Sequence, residues 1–237
     1  MKILEKLIVK EKDIYFAGCL TEKFLPNIKE NYLKICSALG IDVATVDLIC
    51  CGLPAKNSGN DYDFIIKKWN ELIESEKIKT IYTSCPSCFF ELKQRYNAKP
   101  ILEIIWERLK EMKEIKKLNL KLTYHDPCHF SHYENFIEIP RKILRKIGCK
   151  IVEMKYHGKN SMCCGAGGGM INNNKTLANR IAEQRLSQVP HDVDILITSC
   201  PLCYLHLKNN AEKLKMKLKI YEISELIVDA LNFNEVE

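Results

Sequence analysis

Thiols are the residues of this chain best equipped for chemistry, and ten of its twelve cysteines fall into one pattern written twice. The first copy is Cys19, Cys50-Cys51 and Cys85-Pro86-Ser87-Cys88; the second is Cys128, Cys163-Cys164 and Cys200-Pro201-Leu202-Cys203. Corresponding members lie 109, 113, 113, 115 and 115 residues apart, and Thr83-Ser84-Cys85-Pro86 is answered by Thr198-Ser199-Cys200-Pro201. Duplication of a five-thiol unit explains this pattern. Thiolates select soft or borderline metals, chiefly zinc, copper(I) and the iron of iron–sulfur clusters. A structural zinc site closes with four ligands, and a cubane iron–sulfur cluster also takes four cysteines. The fifth thiolate of each copy therefore stays free beside the metal or serves a cluster of another shape.

A chain of 237 residues buries a core without covalent staples, so the cysteines have another purpose. Charges interrupt the apolar residues of the opening segment, and no apolar run is long enough for a transmembrane helix. The expected compartment is the cytoplasm, where thiols at fixed spacing read as metal ligands or redox groups rather than disulfides. The net charge of +6 comes from lysines interleaved with acidic residues, as in the expected helical segment 109–117. That pattern is a solvated face, and it argues against a nucleic-acid partner.

Short apolar runs alternate with segments of helical period, which predicts an α/β fold with parallel strands. Strands are expected over residues 13–17, 43–48 and 80–83, then 122–125, 150–154 and 194–198, three per copy. Helices are expected over 27–39, 62–76, 101–113, 141–147, 175–187 and 223–231. The division is into two similar Rossmann-like repeats, residues 1–115 and 116–237, related by a pseudo-two-fold axis or merged in one core. The cysteines then fall at the carboxyl ends of strands, where open α/β sheets collect ligands.

The motifs Gly18-Cys19, Cys50-Cys51-Gly52-Leu53-Pro54-Ala55, His125-Asp126-Pro127-Cys128-His129 and Cys163-Cys164-Gly165-Ala166-Gly167-Gly168-Gly169, with both Cys-Pro-x-Cys segments, span most of the chain. Together they resemble the cysteine-rich CCG domain of the catalytic subunit of heterodisulfide reductase. Similar domains occur in thiol:fumarate reductase and in the iron–sulfur subunits of glycolate oxidase and the lactate-utilisation complex. In the heterodisulfide reductase subunit each five-cysteine set holds a non-cubane four-iron cluster. The resemblance thus implies two [4Fe-4S] clusters, held by Cys19, Cys50, Cys51, Cys85 and Cys88 and by Cys128, Cys163, Cys164, Cys200 and Cys203. It further implies an oxidoreductase subunit that reduces a small disulfide with electrons from ferredoxin-like and flavin-bearing subunits. Two alternatives stand beside it: an electron-transfer subunit of a lactate- or glycolate-type oxidase complex, and a structural module with zinc in one or both sites.

Among the remaining candidates, Gly52, Gly165, Gly167, Gly168 and Gly169 let backbone approach a bound cluster and offer N–H groups to its sulfurs. A dinucleotide loop is the rival reading of the glycine run, but Met170 stands where the last glycine of that motif belongs. His129 is the expected catalytic residue, passing a proton to a departing thiolate, with His125 as a second candidate. Either histidine also fits a purely structural bond to a cluster sulfur or a carbonyl. Cys36 and Cys149 lie outside both patterns and read as core residues.

Overall fold

The computed structural model describes residues 10–46 and 49–231. The opening residues 1–9, and residues 47–48 at the end of the expected second strand, lie outside them. The first half runs β1 (Lys12–Phe16), α1 (Cys19–Phe24), α2 (Pro26–Ala38), β2 (Ala44–Thr45), α3 (Leu53–Asn57), α4 (Asp63–Ser75), β3 (Ile78–Thr83), α5 (Pro86–Leu92), β4 (Ala98–Pro100) and α6 (Ile101–Leu109). The second half repeats this order: β5 (Lys121–His125), α7 (Cys128–Ser131), α8 (Glu134–Lys146), β6 (Lys150–Ile151), α9 (Met170–Asn173), α10 (Lys175–Leu186), β7 (Ile195–Thr198), α11 (Pro201–Lys213), β8 (Lys219–Glu222) and α12 (Ile223–Ala230).

Each half builds a four-stranded parallel sheet, in the orders β2-β1-β3-β4 and β6-β5-β7-β8. The central strands β1, β3, β5 and β7 end in consecutive buried residues, as strands covered on both faces must. Three strands per half were expected. β4 and β8 were missed because they are short and run without a break into α6 and α12. The helix expected from residue 141 starts at Glu134 and carries Pro140 inside it, where a proline ordinarily marks a boundary. Conversely, the helix expected over 101–113 stops at Leu109, so the lysine-rich stretch after it is an irregular connection rather than a helical face.

The halves exchange their last helices. α12 packs on α2, and α6 packs on α8, so the buried apolar residues form one continuous core. Inside it, the Tyr15 hydroxyl meets Ser84 Oγ at 2.9 Å and the Tyr124 hydroxyl meets Ser199 Oγ at 2.6 Å. These bonds pin the first strand of each sheet to the serine that precedes Cys85 or Cys200.

Glu222 crosses between the halves. It is fully buried at the start of α12, accepts from the Tyr32 hydroxyl at 2.8 Å and from the Ser224 N–H, and has no cation bonded to it among the described residues. Burial pushes its pKa up to about 7. The folded chain therefore holds a proton there that the unfolded chain has already lost. Stability from this group is complete below the ordinary glutamate pKa and falls as pH rises through about 7. The chain should be about 2 kcal/mol less stable at pH 8 than at pH 5 on account of Glu222. Denaturant melts at the two pH values, compared with Glu222→Gln, measure this; equal slopes against pH in the two proteins would remove Glu222 as the cause.

Candidate metal centres

The carboxyl end of each first strand delivers one thiol. Cys19 and Cys128 open the short helices α1 and α7 just after β1 and β5. Cys85 and Cys200 occupy the N-cap positions of α5 and α11, with Pro86 and Pro201 in the first turn, where the N–H that proline lacks would have had no partner. One helical turn later Cys88 and Cys203 point back to the same place, and the loops before α3 and α9 bring Cys50-Cys51 and Cys163-Cys164 to it.

In the first half the thiols neighbour one another in one series and shift each other's titration: Cys19 to Cys50, Cys50 to Cys51, Cys51 to Cys88, and Cys88 to Cys85. The second half repeats it, Cys128 to Cys163, Cys163 to Cys164, Cys164 to Cys203, and Cys203 to Cys200, with 3.1 Å between the sulfurs of Cys164 and Cys203. All ten are free thiols. Cys36 and Cys149 lie apart in the core, where burial pushes their pKa up to about 12 and about 11.

The pKa of Cys50 and of Cys163 is driven far below the ordinary thiol range, by the neighbouring thiols first and then by the N–H groups of Gly52 and Gly165, which approach at 3.4 and 3.3 Å. The same neighbours, with burial, push Cys19 and Cys128 up. Metal binding in either half must expel the protons that remain.

Gly52 and Gly165 have positive φ, +91° and +89°, and a Cβ on Gly165 would stand 2.6 Å from the Ala178 carbonyl oxygen. The rest of the glycine run is different: Gly167 and Gly168 face open space, and Gly169 caps the four-residue α9. No strand leads into this loop, since β6 ends at Ile151, so the strand–loop–helix setting of a dinucleotide motif is missing.

The two centres differ in what surrounds them. Beside the second, Asp126 is held by both terminal nitrogens of Arg141, at 2.7 and 2.8 Å, and accepts from the Gly158 N–H. Arg141 also grips Glu153 and the Ile137 carbonyl. The positions 109 residues earlier are Ala17 and Tyr32, so this buried lattice has no counterpart in the first half. His125 is fully buried, its Nδ1 is 2.9 Å from Arg185 Nε, and burial lowers its pKa to about 3. The imidazolium that a proton donor needs is thus unpopulated near neutral pH. His129 is half-buried between the halves, with Nδ1 3.9 Å from Cys128 Sγ and 3.5 Å from the Ser87 hydroxyl of the first half, and its ring lies against Phe90.

Among the buried side-chain polar atoms of the described residues that have no partner are two nitrogen donors, His125 Nε2 and Arg185 Nη2. Buried polar groups left unpaired are rare and call for an acceptor. An anionic metal–sulfur group among these thiolates supplies one, so the residues present fit an iron–sulfur centre.

Reading the sequence missed Arg185, Arg141 and the role of Gly18. Ala178, Ala182 and Arg185 lie on the buried face of α10, and a cation at helical spacing on that face was the available signal. A Cβ on Gly18 would meet Cys88 Sγ at 3.1 Å, which only coordinates reveal.

Two four-stranded parallel sheets, each ending in a five-thiol centre, define a duplicated α/β cysteine-centre protein. The chain belongs to the CCG cysteine-rich domain family, whose profile matches residues 14–93 and again 122–208. It is 32% identical over 229 residues to one of the subunits of the fumarate reductase (CoM/CoB) of Methanothermobacter marburgensis, covering 90% of this chain and 45% of that polypeptide. An uncharacterized iron-sulfur protein of Methanocaldococcus jannaschii is 30% identical over 215 residues, 87% of this chain and 43% of its own length. One of the subunits of the dihydromethanophenazine:CoB–CoM heterodisulfide reductase of Methanosarcina mazei is 28% identical over 247 residues, 95% of this chain and 60% of its own length. The chain therefore spans about half the length of the curated relatives it matches. Among the described residues no helix is long and apolar enough to cross a membrane.

Proposed function

We propose that the chain is an iron–sulfur redox subunit that reduces a disulfide at two cysteine-bound four-iron clusters. The observation that carries this reading is the repeated connected set of five thiols, one more in each half than zinc or a cubane cluster requires. Kinship to proteins named as heterodisulfide and fumarate reductase subunits supports it. The reaction consumes two electrons and two protons, converting R–S–S–R′ to RSH and R′SH. Bound clusters would supply the electrons one at a time, and a ferredoxin-like or flavin-bearing subunit is the external reductant.

The chain's own residues supply access and protons. A cleft of about 570 Å³ is lined by Cys50 with Val46, Ile49, Phe64, Ile65 and Lys68, and in this reading a small disulfide enters there. In this reading His129, with Nδ1 3.9 Å from Cys128 Sγ and 3.5 Å from the Ser87 hydroxyl, passes a proton to a departing thiolate.

The test is turnover of an unsymmetrical disulfide by the anaerobic, chemically reduced chain, counting thiols formed against electrons consumed. Two thiols per two electrons is the expected result. Clusters that reduce and reoxidise without forming thiol would assign the chain to electron relay, with substrate handled elsewhere. His129→Gln should keep its metal and lower the thiol-forming rate roughly a hundredfold, the usual lower scale of general acid catalysis; full turnover in that variant would leave His129 a structural role only.

A further inference from the structure

We infer that His125, locked by Arg185, is a hydrogen-bond donor to the second cysteine centre rather than a ligand, and that this pair makes the second centre the more easily reduced of the two. The inference rests on the iron–sulfur reading above.

One ring nitrogen of His125 lies within 4.8 Å of the sulfurs of Cys164 and Cys203, close enough to suggest a ligand. Arg185 decides otherwise. A guanidinium N–H can only donate, so Nδ1 of His125 must accept from Arg185 Nε at 2.9 Å. A neutral imidazole then carries its proton on Nε2, the nitrogen left without a partner. Ligation through Nε2 would move that proton to Nδ1, against the Arg185 N–H. His125 is a positioning residue, its Nε2–H held ready for a sulfur.

Arg185 adds charge. Its other bonds go to neutral acceptors, the Tyr156 carbonyl at 2.7 Å and Gln188 Oε1 at 2.9 Å. Asp126, the nearby carboxylate, is already held by Arg141. A fully buried guanidinium without a bonded anion wants negative charge close by, and the sulfurs of Cys164 and Cys203 are within its electrostatic reach. Reduction makes a cluster one charge more negative, so an N–H donor and a buried cation favour the reduced form.

The first half lacks both devices. Phe16 occupies the position 109 residues before His125 and packs edge-on against Trp69, at 5.1 Å between ring centres. Among its described residues no buried side chain is a cation, and its one buried charged group is Glu91, paired with Lys56 and Arg95. The second centre should accept the first electron, and the first centre, at the cleft, should be the stronger reductant.

The experiment is a redox titration of the iron-loaded full chain followed by electron paramagnetic resonance, for the wild type, His125→Phe, Arg185→Gln and Arg185→Lys. Two transitions are expected. His125→Phe and Arg185→Gln should lower only the upper one, by at least a tenfold change in the reduction equilibrium, about 59 mV for one electron. Arg185→Lys, which keeps the charge, should retain part of the upper potential. Iron and sulfide per chain should match the wild type throughout. Coincident transitions in the wild type, a shift of the lower transition in the variants, or loss of iron from His125→Phe would each overturn the inference. A separate reading comes from imidazole nitrogen resonances of the metal-free chain, where His125 should be the Nε2–H tautomer and lose that bias in Arg185→Gln. The Nδ1–H tautomer in the wild type would overturn the inference whatever the metal content. Wild-type chain that takes up no iron would instead sink the iron–sulfur reading, and the nitrogen resonances would still decide the His125–Arg185 arrangement.

Discussion

Gly165→Ala should destabilise the chain by at least ~3 kcal/mol and empty the second centre of metal, while Gly167→Ala, two residues away, should be close to neutral. Position 165 has φ +89°, and a methyl there would lie 2.6 Å from the Ala178 carbonyl oxygen and 2.9 Å from Ile181 Cβ. Both obstacles belong to α10, the helix that carries Arg185, so neither yields by rotating a side chain. Relief requires pushing the loop away from the helix, and that loop carries Cys163 and Cys164. Gly167 has ordinary φ, and nothing stands within 4 Å of where its methyl would go. Thermal melts and iron content of the two alanine variants check this; equal behaviour would mean that the loop is held by something other than its contact with α10.

Arg141→Met should cost about 3–5 kcal/mol, the scale for leaving a buried charge without its partner. Arg141 and Asp126 are 2% and 3% exposed, and every N–H of the guanidinium has an acceptor. Removing it strands Asp126, two residues before Cys128. Asp126 also holds the Gly158 N–H, and its carbonyl accepts from Ser161, two residues before Cys163. The loss should therefore loosen Cys128 and Cys163 together. Adding Asp126→Asn should recover part of the stability, because the stranded charge goes with it. Urea midpoints of the single and double variants measure the effect; no recovery in the double variant would show that lost packing of Arg141, not the stranded charge, sets the cost.

The cysteine spacing made the repeated arrangement legible in the sequence, because five thiols at strand ends converge in any parallel α/β sheet. The central strands were legible for a related reason: their apolar runs are bounded by the cysteine loops. β4 and β8 were not, since three or four residues flowing into a helix leave no periodicity to read. Pro140 hid the first turns of α8, as tertiary packing kept a helix through a residue that local preference would end it at. The asymmetry of the two centres was present as letters, Phe16 against His125 and Ala17 against Asp126, but it gains meaning only when Arg141 and Arg185 arrive from distant helices. Such long-range pairings of single residues leave no local pattern.

The central claim is that each half holds a four-iron cluster. Iron, acid-labile sulfide and zinc in the anaerobically prepared chain, read beside its electron paramagnetic resonance spectrum, test it most directly. About eight irons with matching sulfide per chain is the result expected of two four-iron centres. Zinc in both halves, with no sulfide, would contradict the claim and leave a structural module.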